Sequence, residues 1–232
     1  MHKPGENQKN AMAQEIFPSR KSLKTPRAAA IAGIVFSLLV MASLIIIRVS
    51  IPSDPNEAGL WLGNPDNAYK ILIALNMVPF AGIAFLWFIG VIRDLIGELE
   101  DKFFATVFLG SGLLFIAMLF ASAAVAGGIL ASLSFRSGEH LVTDPVFHFG
   151  RSLTYVVLNI FAMKMAGVFM ISTCTIGLRT ERIPRWLAIL GYVFAALLLI
   201  SITYVELIAL LFPLWILMLS VRILVENYRM AA

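Results

Sequence analysis

Lys164 is the one charged residue set deep inside an apolar run, in Ala162-Met163-Lys164-Met165-Ala166 near the centre of residues 152–178. A lysine at the centre of a membrane helix costs roughly 2.5–3.5 kcal/mol to insert, so it marks a functional site by default. An amine at that depth finds an anion, gives up its charge, or snorkels to the interface. No carboxylate is expected at its level, since Glu206 should sit at the outer turn and Asp94 and Glu98 on the inner side. That speaks against a fixed buried ion pair and against a rhodopsin-like Schiff base with an aspartate counter-ion. An anion in transit, a lipid headgroup drawn inward, or a carboxylate on a partner chain would satisfy the amine. The competing reading is a structural lysine, neutral or snorkelling, that faces the bundle.

Asn76, Tyr155 and Asn159 form a second group, one to two turns inside their apolar runs. Tyr155 and Asn159 are spaced to share a helix face, so with Asn76 they would make either a shallow polar pocket or an interhelical hydrogen-bond clamp. On a regular helix Asn159 and Lys164 lie about 140° apart and do not share a face. Pro79 and Pro213 are expected to interrupt their helices and free backbone carbonyls. Glu139, His140, Asp144 and His148 fall in one short loop. The spacing of His140, Asp144 and His148 would give a ligand face on a continuous helix, but Pro145 breaks the continuity and makes Asp144 an N-cap. No zinc pattern is matched, and no metal or cofactor is expected. Phosphate-binding loops, dinucleotide fingerprints, metalloprotease helices and nucleophile elbows are absent from the sequence, so enzymatic activity is not expected.

The elements that carry these residues are long and apolar. Uncharged stretches cover 28–47, 71–92, 103–135, 152–163 with 165–178, and 186–221 apart from Glu206. A hydrocarbon core about 30 Å thick takes roughly 20 apolar residues per helix, so these read as bilayer crossings. The 232 residues are 59% hydrophobic and only 14% charged, against about 25% charged in soluble domains. Six crossings with their loops leave no room for a soluble catalytic domain. The basic residues flank the crossings rather than cluster on a polar surface, which speaks against nucleic acid as a partner. The single cysteine, Cys174, lies inside an apolar run and reads as a buried small hydrophobe.

The sequence therefore predicts an all-α polytopic transmembrane bundle over residues 27–225, with crossings at about 28–47, 71–92, 103–135, 145–178, 186–203 and 206–225. A basic polar tail (1–26) precedes it, expected to order on anionic lipid or a partner, and a short segment (226–232) follows. The tail is too long and polar for an ordinary signal peptide, so 28–47 reads as a retained crossing. With the N-terminus inside, thirteen Lys and Arg fall on the inner side and four (Arg48, Lys70, Arg136, Arg151) outside, which places both termini in the cytoplasm. The 186–221 run would make a helix about 54 Å long, too long for one crossing, and its best break lies between Ser201 and Glu206. Asp54-Pro55 with Glu57 and Leu60-Trp61-Leu62 predict a short interfacial helix. Asn64-Pro65 and Asp144-Pro145 read as helix starts, and Arg93 to Lys102 as a solvated extension.

Residues from Pro26-Arg27 echo Pro184-Arg185 at an offset of 158, with Gly33 matching Gly191 and Phe36 matching Phe194. This is compatible with a parallel repeat of the first and last hairpins, or with chance in an apolar alphabet. Small residues recur at Ala29-Gly33-Ser37, Ala123/Gly127, Ala124/Gly128 and Gly191/Ala195, a spacing that lets helices approach closely. Trp61, Trp87, Trp186 and Tyr228 read as interface anchors. The phrases Val78-Pro79-Phe80-Ala81-Gly82-Ile83-Ala84-Phe85-Leu86-Trp87-Phe88-Ile89-Gly90, Met165-Ala166-Gly167-Val168-Phe169-Met170-Ile171-Ser172-Thr173 and Ile183-Pro184-Arg185-Trp186-Leu187 resemble uncharacterised bacterial polytopic membrane proteins. That resemblance implies a prokaryotic inner-membrane location and no particular activity. The function expected is non-enzymatic binding or passage of a small solute, ion or lipid, with Lys164, Asn76, Tyr155 and Asn159 as candidate ligand-binding residues. The alternative is an accessory subunit of a larger membrane complex, and membrane lipid or further copies of the chain are the expected partners.

Overall fold

The computed structural model describes residues 26–50, 65–96, 102–133, 145–201 and 206–229, and every regular element among them is helical. Helices α1 (Pro26–Ser50), α2 (Pro65–Ile96) and α3 (Lys102–Leu133) are long and unbroken. Helix α4 (Pro145–Val156) passes through a π-helical turn (Val157–Ala162) into α5 (Met163–Arg179). Helix α6 (Arg185–Ile200) is shorter, and a 3-10 turn (Glu206–Leu210) leads into α7 (Leu211–Arg229). Three helices open on proline, whose missing N–H is not needed in a first turn. The starts read at Pro65 and Pro145 thus appear where the sequence places them. Pro79 lies inside α2, which continues through it. Pro213 differs from expectation: it stands in the first turn of α7, where it helps open the helix rather than interrupting it.

Five helical segments are long and apolar enough to cross a membrane: Arg27–Ile47, Asp66–Arg93, Phe103–Ser132, Pro145–Arg179 and Ile208–Arg229. The sixth apolar helix, Arg185–Ile200, has 16 residues and spans about 24 Å, short of the hydrocarbon thickness. The helical run from 186 ends at Ile200, three residues before the expected boundary at 203. The basic tail to residue 25, the interfacial helix at 54–62 with Trp61, and Arg136, Glu139, His140 and Asp144 lie outside the described residues.

The helices pack in the order α7–α1–α2–α3 around the bundle, with α3 also covering α4 and α5, and α6 lying mainly on α5. Small residues set the close approaches. Ala29, Gly33 and Ser37 are all buried, and a Cβ on Gly33 would collide with the Ser220 hydroxyl of α7 and approach the Phe88 ring of α2 at 2.8 Å. Gly191 plays the same part on α6, against the Cys174 sulfur of α5 and Trp215 Nε1 of α7. Ala124 and Gly128 instead face outward. At the centre, phenylalanines from five helices converge: Phe36 and Phe85 at 4.4 Å between ring centroids, Phe115 and Phe212 at 4.7 Å, and Phe108 and Phe169 at 4.8 Å. These tilted, edge-on and stacked pairs add to the apolar packing that holds the helices together. Large apolar side chains also cover the outer surface, among them Trp87 (69% exposed), Phe149 and Ile200, as a lipid-facing belt requires.

The α5–α6 connection is a tight C-cap. The Arg182 and Glu181 amides donate to Gly177 O and Leu178 O at 3.0 and 3.3 Å, the two bonds of a Schellman motif. The left-handed position, usually glycine, is held by Glu181 with φ 56°. Ile183 folds back onto Gly177, where a Cβ would collide with it, and Pro184 then starts α6.

Candidate functional site

The Lys164 ammonium meets the C-terminal end of α6. Its Nζ donates to the backbone oxygens of Leu198, Leu199 and Ser201 at 3.0, 2.5 and 2.7 Å. The sequence dictates the level. Lys164 lies fifteen residues before Arg179 at the end of α5, and Leu199 fourteen after Arg185 at the start of α6. In antiparallel neighbours both positions stand about 21–22 Å from the connecting loop. A helix end leaves four carbonyls without intrahelical donors, and no water is available to meet them in a hydrocarbon core. The Ser201 amide meets Leu197 O at 3.0 Å, and Lys164 meets the next two carbonyls and that of Ser201 itself. An ammonium has three donors and carries the charge that the negative end of a helix dipole favours.

A π turn precedes this lysine, with the Met163 amide donating back to Leu158 O five residues earlier. Such turns change the phase of a helix, so the regular-helix angle between Asn159 and Lys164 does not apply across it. Asn159 lies within the turn, where its amide donates to Tyr155 O at 3.1 Å. The Asn76 amide donates to Leu72 O of its own helix at 2.8 Å, and the residue is exposed. Lys164, Asn76 and Tyr155 are therefore not gathered into one pocket, and only Tyr155 reaches the cavity described next.

That cavity is a cleft of about 130 Å³ between α1, α2, α3 and α4, on the side away from the α5–α6 loop. Its walls are aliphatic, from Val40, Ile47, Leu75, Leu119, Leu130 and Leu158, with Phe147, and Arg151 is the charged residue in its lining. The guanidinium carbon of Arg151 lies 5.6 Å from the centre of the Tyr155 ring, a cation–π arrangement. The hydroxyls in the wall are engaged with backbone: Ser43 donates to Ala74 O at 2.8 Å, Ser122 to Thr154 O at 3.0 Å and Thr154 to Gly150 O at 2.9 Å. The first two tie helices together across the cleft walls. In the sequence Arg151 reads only as a topology charge, although it lies four residues before Tyr155 on one face.

His148 stands half-buried on α4 beside Phe147, and no metal-binding cluster occurs among the described residues. Cys174 is buried among α5, α6 and α7, and its thiol is free. Trp87, Trp186 and Tyr228 are exposed, as interface anchors would be, and Tyr228 also receives Arg27 over its ring at 4.9 Å. Trp215 is different, being fully buried with its Nε1 donating to Leu187 O at 3.1 Å.

Together these features define an all-helical protein whose long apolar helices suit a multi-pass membrane protein. No family model matches the chain, and neither a curated protein nor a solved structure does.

Proposed function

We propose that this chain is a multi-pass protein of a bacterial inner membrane that crosses six times, keeps both termini in the cytoplasm, and binds a small apolar or amphiphilic molecule without catalysis. The cleft between α1, α2, α3 and α4 is the observation that carries the binding role. An apolar cavity of this size excludes water and takes up apolar guests. The excess of Lys and Arg in the tail, the α5–α6 connection and the end of α7 supports the orientation. Lys164 enters this reading as the group that holds the end of α6, because its ammonium already has three acceptors.

The test is binding of hydrophobic probes to the full chain in nanodiscs, with Ala123→Phe placing a ring in the cleft lining. Wild type should take up a photoreactive apolar probe at cleft residues and the filled variant should not. Equal labelling of the two would refute the binding role.

One observation favours the accessory-subunit reading as well. Ala117, Ala124, Gly128 and Ala131 lie exposed on α3, and nothing approaches the Cβ position of Gly128. Small residues at that spacing suit docking of a helix from another chain. Purification in gentle detergent separates the readings, since a stable hetero-complex supports the accessory role and a lone monomer or symmetric homo-oligomer counts against it.

A further inference from the structure

We propose that the guest of the cleft is a compact, uncharged hydrophobe of single-ring size, a benzene- or cyclohexane-like molecule that arrives through the bilayer. This rests on the reading of the cleft as a binding site and adds the chemical class and size of what it binds. Volume sets the size. The cleft measures about 130 Å³, and an apolar cavity of about 150 Å³ accommodates one benzene. A membrane acyl chain exceeds that volume, so lipid tails leave the walls short of packing contacts. A guest small enough to enter restores those contacts, which favours the cleft over the surrounding hydrocarbon. The walls also resist widening. Ser43 ties α1 to α2 through Ala74 O, and Ser122 ties α3 to α4 through Thr154 O.

Chemistry sets the polarity. Val40, Leu75, Leu119 and Leu158 give the lining its aliphatic character, and Phe147 adds an aromatic surface against which a ring packs well. The hydroxyls of Ser43, Ser122 and Thr154 are committed as donors to backbone carbonyls. Arg151 is likewise engaged, with its guanidinium carbon 5.6 Å from the centre of the Tyr155 ring. A charged or strongly polar guest would give up its hydration and find these donors already in use. Water is a poor occupant for the same reason, since it needs about two to four polar partners. An uncharged hydrophobe asks nothing of these groups.

The full chain in phosphatidylcholine nanodiscs is photolabelled with the spiro-diazirine of cyclohexane, and the cross-linked peptides are mapped by mass spectrometry. Label should fall on peptides that line the cleft, and benzene or cyclohexane should displace it. At equal mole fraction in the bilayer, naphthalene, dodecane and benzoate should each compete about tenfold more weakly than benzene, because a fitted apolar pocket rejects excess bulk and unpaired charge. Leu119→Ala, which enlarges the cleft, should bring naphthalene level with benzene while Cys174 stays protected from maleimide. Wild-type competition by naphthalene, dodecane or benzoate equal to that by benzene would overturn the proposal while leaving the cleft as a binding site. A Leu119→Ala cleft that still rejects naphthalene would do the same. Absence of label from the cleft, or cleft label unchanged in Ala123→Phe, would overturn both.

Discussion

Lys164 stands within a long apolar helix opposite an unfinished helix end, and each makes the other tolerable. A charged lysine at the centre of a crossing costs roughly 3 kcal/mol to insert, while each hydrogen bond from a charged donor contributes about 1.5 kcal/mol or more. Three such bonds, to Leu198, Leu199 and Ser201, outweigh the insertion cost by about 1–2 kcal/mol on that accounting. Lys164→Met should therefore destabilise the protein by about that amount, because three carbonyls lose their donor. Cys174 offers a convenient reporter: it is the single cysteine, buried where α5 meets α6 and α7. In Lys164→Met its reaction with a maleimide should begin several degrees lower than in wild type, whereas an unchanged profile would mean the ammonium adds nothing to holding α6. Lys164→Arg should recover only part of the loss, since a planar fork does not reproduce three converging donors. The unusual placement of Lys164 inside an apolar run was legible in the sequence, but its partner was not. Backbone carbonyls carry no residue signature. The signal lay in two separate facts, the interruption of the 186–221 run near Ser201 and the equal distances of Lys164 and Leu199 from the α5–α6 loop.

At the scale of elements, caps and close approaches explain why these helices start, stop and touch where they do. Proline at Pro65 and Pro145 was readable because its chemistry is local, whereas Pro26, which the sequence assigns to the tail, also opens a helix. The end of α5 was less readable, since a Schellman turn normally announces itself with glycine and here uses Glu181 at φ 56°. A side chain in that conformation costs about 1 kcal/mol, so Glu181→Gly should stabilise the protein by a similar amount, visible as later exposure of Cys174 on heating. Loss of stability would mean that the glutamate side chain is needed. Gly191 admits no side chain, because a Cβ would meet Cys174 and Trp215. Gly191→Val should push α6 away from both neighbours at a cost of about 1–3 kcal/mol and expose Cys174 at ambient temperature. The same composition gave no means of telling the buried glycines of α1 and α6 from the outward Gly128 of α3. Small residues at four-residue spacing look alike until the neighbouring helix is in place.

For the whole molecule, the apolar runs conveyed nearly all of the architecture because a bilayer demands length and hydrophobicity of each crossing. Helix α6 is the exception at 16 residues, and the proposed six-crossing topology depends on how it and α7 are placed. Single cysteines introduced into a Cys174→Ser background test that topology. Positions in the 180–184 connection should react with impermeant maleimide only from the cytoplasmic side, and those between α3 and α4 only from outside. The opposite labelling would reverse the proposed orientation. The cleft was hidden from the sequence because four helices contribute to it and each presents only ordinary aliphatic residues. The claim on which the architecture rests is that backbone carbonyls, rather than an anion, hold the Lys164 amine, and solid-state NMR of the protein in lipid tests it directly. With ¹⁵N in the lysine ammonium groups and ¹³C in the leucine carbonyls, dephasing should show a close ¹⁵N–¹³C pair that disappears in Lys164→Met. A wild-type spectrum without that pair, in which a lysine ammonium instead couples to lipid ³¹P, would contradict it.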